Sequence, residues 1–232
     1  MKIEVSLTPA LYSYRTIKEH HVTVAIDLLR ATTAVCAAFQ SGCREVVPLD
    51  SLEALEPYRI KGYAVAAERG GKKLLGSDYG NSPTEYMSKD MNGVRLAYST
   101  TNGTVSILRG ADADVTLVGA FANIDALCSR LKKEGKDIVL LCSGWQNDFC
   151  LEDTLVAGAI IDQLGNACGD AAAMALAMWQ QAKPALYAYC QNATHVHRLQ
   201  AFGPQAQADI EFAFKMNTCP VVPVLKKGVL TL

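Results

Sequence analysis

The stretch VTVAIDLLRATT, residues 22–33, constrains this chain more than any other. Val22, Thr23, Val24 and Ile26 are branched at Cβ, and only Ala25 interrupts them. That pattern predicts a strand over residues 22–26 buried on both faces. The run stops at Asp27, and Arg30, Thr32 and Thr33 follow closely. An alanine-rich segment then predicts a helix over residues 31–41, with Gly42 as its stop. A buried strand that feeds a polar turn and a helix start is where open α/β sheets place ligands. Free N–H groups and the positive end of the helix dipole suit an anion there. The carboxylate suits a cation or a proton, and the guanidinium and hydroxyls suit an oxyanion. The plainer alternative is an Asp/Thr helix cap beside a surface arginine.

The same layout recurs along the chain. Residues 63–67 form an apolar run that stops at Glu68 and Arg69. Residues 94–98 end at Ser99, Thr100, Thr101, Asn102 and Gly103. Residues 137–142 end in a turn, 143–148, that holds Gly144, Trp145 and Asn147; Glu152 and Asp153 then open an apolar helix. Residues 76–83 read as a loop from their Gly, Asp, Asn and Pro content, with Asn81 and Ser82 before a helix start. Asn123 precedes a helix over residues 124–133. From residue 208 onward the expectation is one strand, 221–225. Strands alternating with helices predict an α/β fold, with a largely parallel or mixed sheet flanked by helices. The segments around Asp27 and Thr100 share strand, Thr-Thr turn, helix and strand, which hints at two related strand-turn-helix units. The expected organisation is a single α/β catalytic domain over residues 1–232, or two lobes with the active site between them.

Composition removes several classes of function. The chain has 232 residues, half of them hydrophobic, which is enough for a substantial core. With 22 basic and 23 acidic residues and no long run of either sign, nucleic acid is disfavoured as a partner. No signal pattern opens the chain and no apolar run is long enough for a bilayer, so no membrane partner is expected. Eight scattered cysteines without CxxC spacing read as buried thiols of a reducing cytoplasm. The adjacent His20 and His21 are expected to be exposed imidazoles. A homodimer is only the general expectation for a compact enzyme.

If the sheet is mostly parallel, these turns converge on one edge. Pooled, they offer carboxylates (Asp27, Glu68, Glu152, Asp153), arginines (Arg30, Arg69), hydroxyls and amides. That inventory suits Mg²⁺ together with a phosphate or sulfonate. Signatures of covalent phosphoryl or acyl chemistry, and of a nucleotide-binding phosphate loop, are missing from the sequence. Metal-assisted attack of water on a phosphoester is the economical reading. Asp27, which ends the most buried strand, is the first choice of metal ligand, followed by Glu68 and Asp153. Each turn has a plainer reading as well: Asn102-Gly103 as a simple turn, Glu152-Asp153 as a response to the helix dipole.

Five motifs in order resemble the 2-phosphosulfolactate phosphatases. They are Asp27 to Thr33, Glu68 to Gly70, Gly80 to Pro83, Thr100 to Thr104, and Ser143 to Trp145 with Glu152 to Thr154. The resemblance implies an α/β enzyme, dependent on Mg²⁺, that hydrolyses (R)-2-phospho-3-sulfolactate to sulfolactate and phosphate, a step of coenzyme M biosynthesis in methanogens. It implies Asp27, Glu68, Glu152, Asp153 and His195 as the catalytic set; the simplest reading of His195 is a helix-surface or hydrogen-bonded histidine, and the alternative is a proton donor to the leaving alkoxide. Around the phosphate and substrate it places Arg30, Thr32, Thr33, Arg69, Asn81, Ser82, Thr100, Thr101, Asn102, Gly103, Asn123 and Gly144. Two alternatives stay open: a phosphatase of another small phosphoester, and a non-catalytic anion binder on the same fold.

Overall fold

Alternation of strand and helix runs the length of the chain. A computed structural model describes residues 1–146 and 148–232; Asn147, in the turn expected over 143–148, lies outside the described residues. The first half runs β1 (Ile3–Ser6), α1 (Pro9–Tyr12), β2 (His21–Ile26), α2 (Ala31–Gln40), β3 (Glu45–Pro48), α3 (Glu56–Ile60), β4 (Ala64–Arg69), β5 (Lys72–Lys73), α4 (Pro83–Met87), β6 (Arg95–Ser99) and α5 (Gly103–Arg109). The second half runs β7 (Val115–Gly119), α6 (Ile124–Glu134), β8 (Asp137–Cys142), α7 (Leu151–Leu164), α8 (Asp170–Ala182), α9 (Leu186–Cys190), α10 (Thr194–Gln200), α11 (Pro204–Ala213), β9 (Val224–Lys226) and β10 (Val229–Thr231).

The ten strands form one mixed sheet in the order β1-β8-β2-β7-β9-β10-β3-β6-β4-β5. It holds two parallel blocks. In one, β2 pairs in parallel with β7 and β8, and β8 with β1. In the other, β6 pairs in parallel with β3 and β4. The β9–β10 hairpin joins them through antiparallel pairs to β7 and β3, so the blocks run in opposite senses. This changes the expected geometry. The polar turns do not share one edge of a parallel sheet; the carboxyl ends of two opposed blocks meet instead.

Burial follows the pleat. In β8, Ile138, Leu140 and Cys142 join the main core, while Val139 and Leu141 pack with Tyr12 and Ile17 on the opposite face. All six residues of β2 are buried, because helices and loops cover both faces of that strand. The expected exposure of His21 is therefore wrong: β2 starts one residue earlier than the apolar run, and His21 is buried beside the Tyr12 hydroxyl. His20 stays exposed.

Between β3 and β4 the chain makes a 3-10 turn, Glu53–Leu55, followed by α3, with Pro57 in its first turn. The tail departs most. The strand expected at 221–225 is β9, displaced toward the C-terminus, and both β10 and α11 went unpredicted. Strands of three residues are too short to show a period. Among the described residues no helix is long and apolar enough to cross a membrane, and all eight cysteines are free thiols.

Candidate active site

The turn after β2 is locked by its own side chains. Thr32 Oγ1 accepts from the Asp27 amide at 3.0 Å and donates to the Asp27 carbonyl at 2.8 Å. Thr33 Oγ1 donates to the Leu28 carbonyl at 2.8 Å. The turn after β6 repeats the device: Thr104 Oγ1 accepts from the Thr100 amide and donates to the Thr100 carbonyl, both at 3.2 Å. The two strand-turn-helix segments are thus alike in hydrogen bonding as well as in sequence. Their helix starts touch. A Cβ on Gly103 would fall onto Ala31 Cβ and within 2.6 Å of Asp27 Oδ2, so only glycine permits this approach.

One narrow cleft lies where the blocks meet. Asp27, Arg30, Glu68, Asn81, Thr101, Asn102, Trp145, His195 and Arg198 line it. Residues expected to share a site therefore come together from β2, β4, β6, the loop before α4 and helix α10. Asp27 Oδ1 accepts the Ala31 amide at 3.2 Å, so the helix-cap reading also holds for one of its oxygens. Arg30 is not a surface residue: Nη1 pairs with Asp209 at 2.7 Å and Nη2 donates to the Gly71 carbonyl at 2.6 Å. Asp209 in turn accepts from Ser82 and Thr84, which fixes the guanidinium from behind. Asn81 accepts from the Tyr98 hydroxyl through its oxygen, and its amide nitrogen has no hydrogen-bond partner among the described residues. Glu68 holds the neighbouring turns, accepting from the Gly71 amide at 2.5 Å and the Thr101 hydroxyl at 3.0 Å.

Several expected phosphate contacts are taken up by the scaffold. The hydroxyls of Thr32 and Thr33 serve the β2 turn, and Thr100 Oγ1 accepts the Thr104 amide. Ser82 caps α4 and donates to Asp209. Arg69 donates to the Glu68 carbonyl and to Ser99. The Gly144 amide donates to Asp153. Asn123 lies away from the cleft, its amide bonded to the Ala120 N–H and to the Val118 and Val221 carbonyls. Short polar side chains beside a turn find backbone partners first, and sequence alone does not show which will do so.

The carboxylates are crowded. Asp27, Glu68, Glu152 and Asp153 are all buried. Burial pushes the Asp27 carboxyl up to about 6, with Glu68 and Glu152 adding to the rise and His195 and the Ala31 amide opposing it. Burial, then Glu152 and Asp27, holds Asp153 well above the usual carboxylate range, although it accepts the Leu28 and Gly144 amides. Glu152 Oε1 meets His195 Nδ1 at 2.6 Å, while Oε2 is buried without a partner. An orphaned carboxylate oxygen amid buried negative charge fits a divalent cation. The fit is not a tight cage of the expected trio. Among the described residues the three ligand atoms that approach within 4.8 Å of one another belong to Cys150, Glu152 and His195; Asp27, Glu68 and Asp153 do not draw together that closely. A cation that keeps most of its waters needs only one or two carboxylates.

Comparison with known proteins fits this cleft. A family model described as 2-phosphosulpholactate phosphatase matches residues 6–228. A probable 2-phosphosulfolactate phosphatase of Synechococcus sp. (strain JA-3-3Ab) is 36% identical, covering 90% of each chain. One of Gloeobacter violaceus is 34% identical over 96% of this chain and 94% of its own. A third, of Caldanaerobacter subterraneus subsp. tengcongensis, is 30% identical over 93% and 91%. The chain belongs to the 2-phosphosulfolactate phosphatase family.

The family match spans every segment that lines the cleft, and sequence reasoning missed two residues: Arg198 in the lining and Asp209 behind Arg30. Asp209 sits on α11, whose start is marked by Gly203-Pro204, a helix-entry signal available in the sequence. Arg198 lies three residues after His195 on α10, a spacing that puts both on one helix face. It stacks over Trp145, 4.4 Å from the ring centre, and Nη2 lies 2.8 Å from His195 Nε2.

Proposed function

We propose that this protein is a Mg²⁺-dependent phosphatase that hydrolyses (R)-2-phospho-3-sulfolactate to 3-sulfolactate and phosphate. The observation that carries this reading is the family match running through every segment that lines the carboxylate-rich cleft. Asp27 is the first candidate to hold Mg²⁺, because it lines the cleft beside Glu68 and its carboxyl is pushed up by Glu68 and Glu152. Glu68 and Asp153 flank it, and Glu152 Oε2 is free to join. When bound, Mg²⁺ would neutralise charge on the transferring phosphoryl group and order the attacking water.

The chain's own part is positioning. Arg30, held by Asp209 and Gly71, presents a fixed guanidinium to the phosphate, a task that suits a planar fork better than a flexible ammonium. The Asn81 amide and the Asn102 side chain add donors to the cleft. Eight free thiols suit a cytoplasmic enzyme.

Phosphate release from a panel of phosphoesters, with Mg²⁺ and with EDTA, tests the reading. The expected result is the highest kcat/KM for phosphosulfolactate, with turnover lost in EDTA. A hundredfold preference for an ester without a sulfonate would reject the substrate.

A further inference from the structure

We propose that Arg198 is the sulfonate-binding residue of this site, stacked on Trp145 and positioned by His195 and Glu152. The inference rests on the substrate reading above. That substrate carries phosphate, carboxylate and sulfonate, and two guanidinium groups line the cleft. Arg30 is ion-paired to Asp209 and hydrogen-bonded to Gly71. Arg198 is different. Among the described residues no carboxylate lies within salt-bridge distance of it, its contact to the Gly70 carbonyl is long at 3.5 Å, and its buried Nε has no partner. Glu68 and Glu152 act on it only from beyond contact distance, and among the described residues donor hydrogens remain for an oxyanion.

The hydrogen-bond chain behind Arg198 has one direction. A guanidinium can only donate, so His195 Nε2 accepts at 2.8 Å. The imidazole proton then lies on Nδ1 and is donated to Glu152 Oε1 at 2.6 Å. Glu152 orients His195, and His195 orients Arg198. With Nε2 capped in this way, His195 is a positioning residue and does not offer a proton to the leaving alkoxide. Trp145 holds the guanidinium plane from the other side.

The test compares kcat and KM on phosphosulfolactate and on 2-phospholactate, which lacks the sulfonate, for wild type, Arg198→Gln, Arg198→Lys and His195→Gln. Thermal melts of each variant report folding. A charged hydrogen-bond pair of this kind corresponds to a loss of about 10- to 100-fold. The preference of wild type for the sulfonated ester, in kcat/KM, is expected to fall by that factor in Arg198→Gln and by less in Arg198→Lys. His195→Gln is expected to raise KM for the sulfonated ester more than it lowers kcat. Equal losses on both esters in a folded Arg198→Gln would overturn the assignment and leave the phosphatase reading standing. A fall in kcat of about 100-fold or more on both esters in His195→Gln would restore His195 as an acid and overturn the positioning chain. A wild type that releases phosphate from neither ester would overturn the functional reading and this proposal with it.

Discussion

Asp27 sits where two demands meet, since one oxygen accepts the Ala31 amide and the side chain also lines the cleft. Asparagine can keep the amide contact and loses only the charge. Asp27→Asn is therefore expected to melt at or above the wild-type temperature without metal, because a buried carboxylate held up to about 6 is a strained one. Its phosphate release is expected to be nearly abolished, with partial recovery at high Mg²⁺. Near-normal turnover at low Mg²⁺ would leave Asp27 as a helix cap. Asp209 poses the opposite case. It is fully buried and is Arg30's ionic partner, so Asp209→Ala strands a buried cation. A destabilisation of about 3–5 kcal/mol is expected in urea unfolding, together with a raised KM. A loss below 1 kcal/mol would mean the pair contributes little.

Between elements, the approach of α2 and α5 is the joint that closes the cleft. Adding a methyl group at a glycine in an exposed helix normally stabilises by about 1 kcal/mol. Gly103→Ala is expected to do the reverse, costing about 1–3 kcal/mol by forcing the helix starts apart. Melting temperature and kcat should fall together; a more stable variant would show that the contact relaxes freely. The sequence made the turn before each of these helices legible, because the β-branched run of β2 gives way abruptly to Asp27 and the Leu-Ala-Tyr of β6 gives way to Ser99 and Thr100. It did not reveal that Thr32 and Thr104 are the matching residues of the two turns, nor that Asn123 faces away from the cleft. Those depend on which backbone groups each side chain finds. Arg198 and Asp209 were hidden for a related reason: α10 and α11 have little apolar periodicity, and the partners of both residues lie far off in the chain.

Across the whole molecule, the antiparallel hairpin turns one parallel block against the other and brings their carboxyl ends to a common cleft. Nothing in the alternation of strand and helix distinguishes this from a single parallel sheet, since β9 and β10 are each three residues long. Stability should follow pH through His21, buried in β2. Burial lowers its pKa below the usual 6.5, with Arg15 adding to the effect and Asp112, Asp114 and Glu4 opposing it. The unfolded chain then binds the proton first. The contribution is whole above about pH 6.5 and declines as the pH falls toward the folded value. In urea unfolding between pH 7.5 and 5.5 (about one unit either side of that value), His21→Phe is expected to lose less stability than wild type; parallel losses would assign the slope elsewhere.

The most direct measurement is phosphate release from (R)-2-phospho-3-sulfolactate by protein stripped with EDTA, then titrated with Mg²⁺. The account predicts no turnover in the stripped protein and a saturable return with added Mg²⁺. Full turnover without metal would contradict it, because the crowded carboxylates around Asp27 would then have some other purpose.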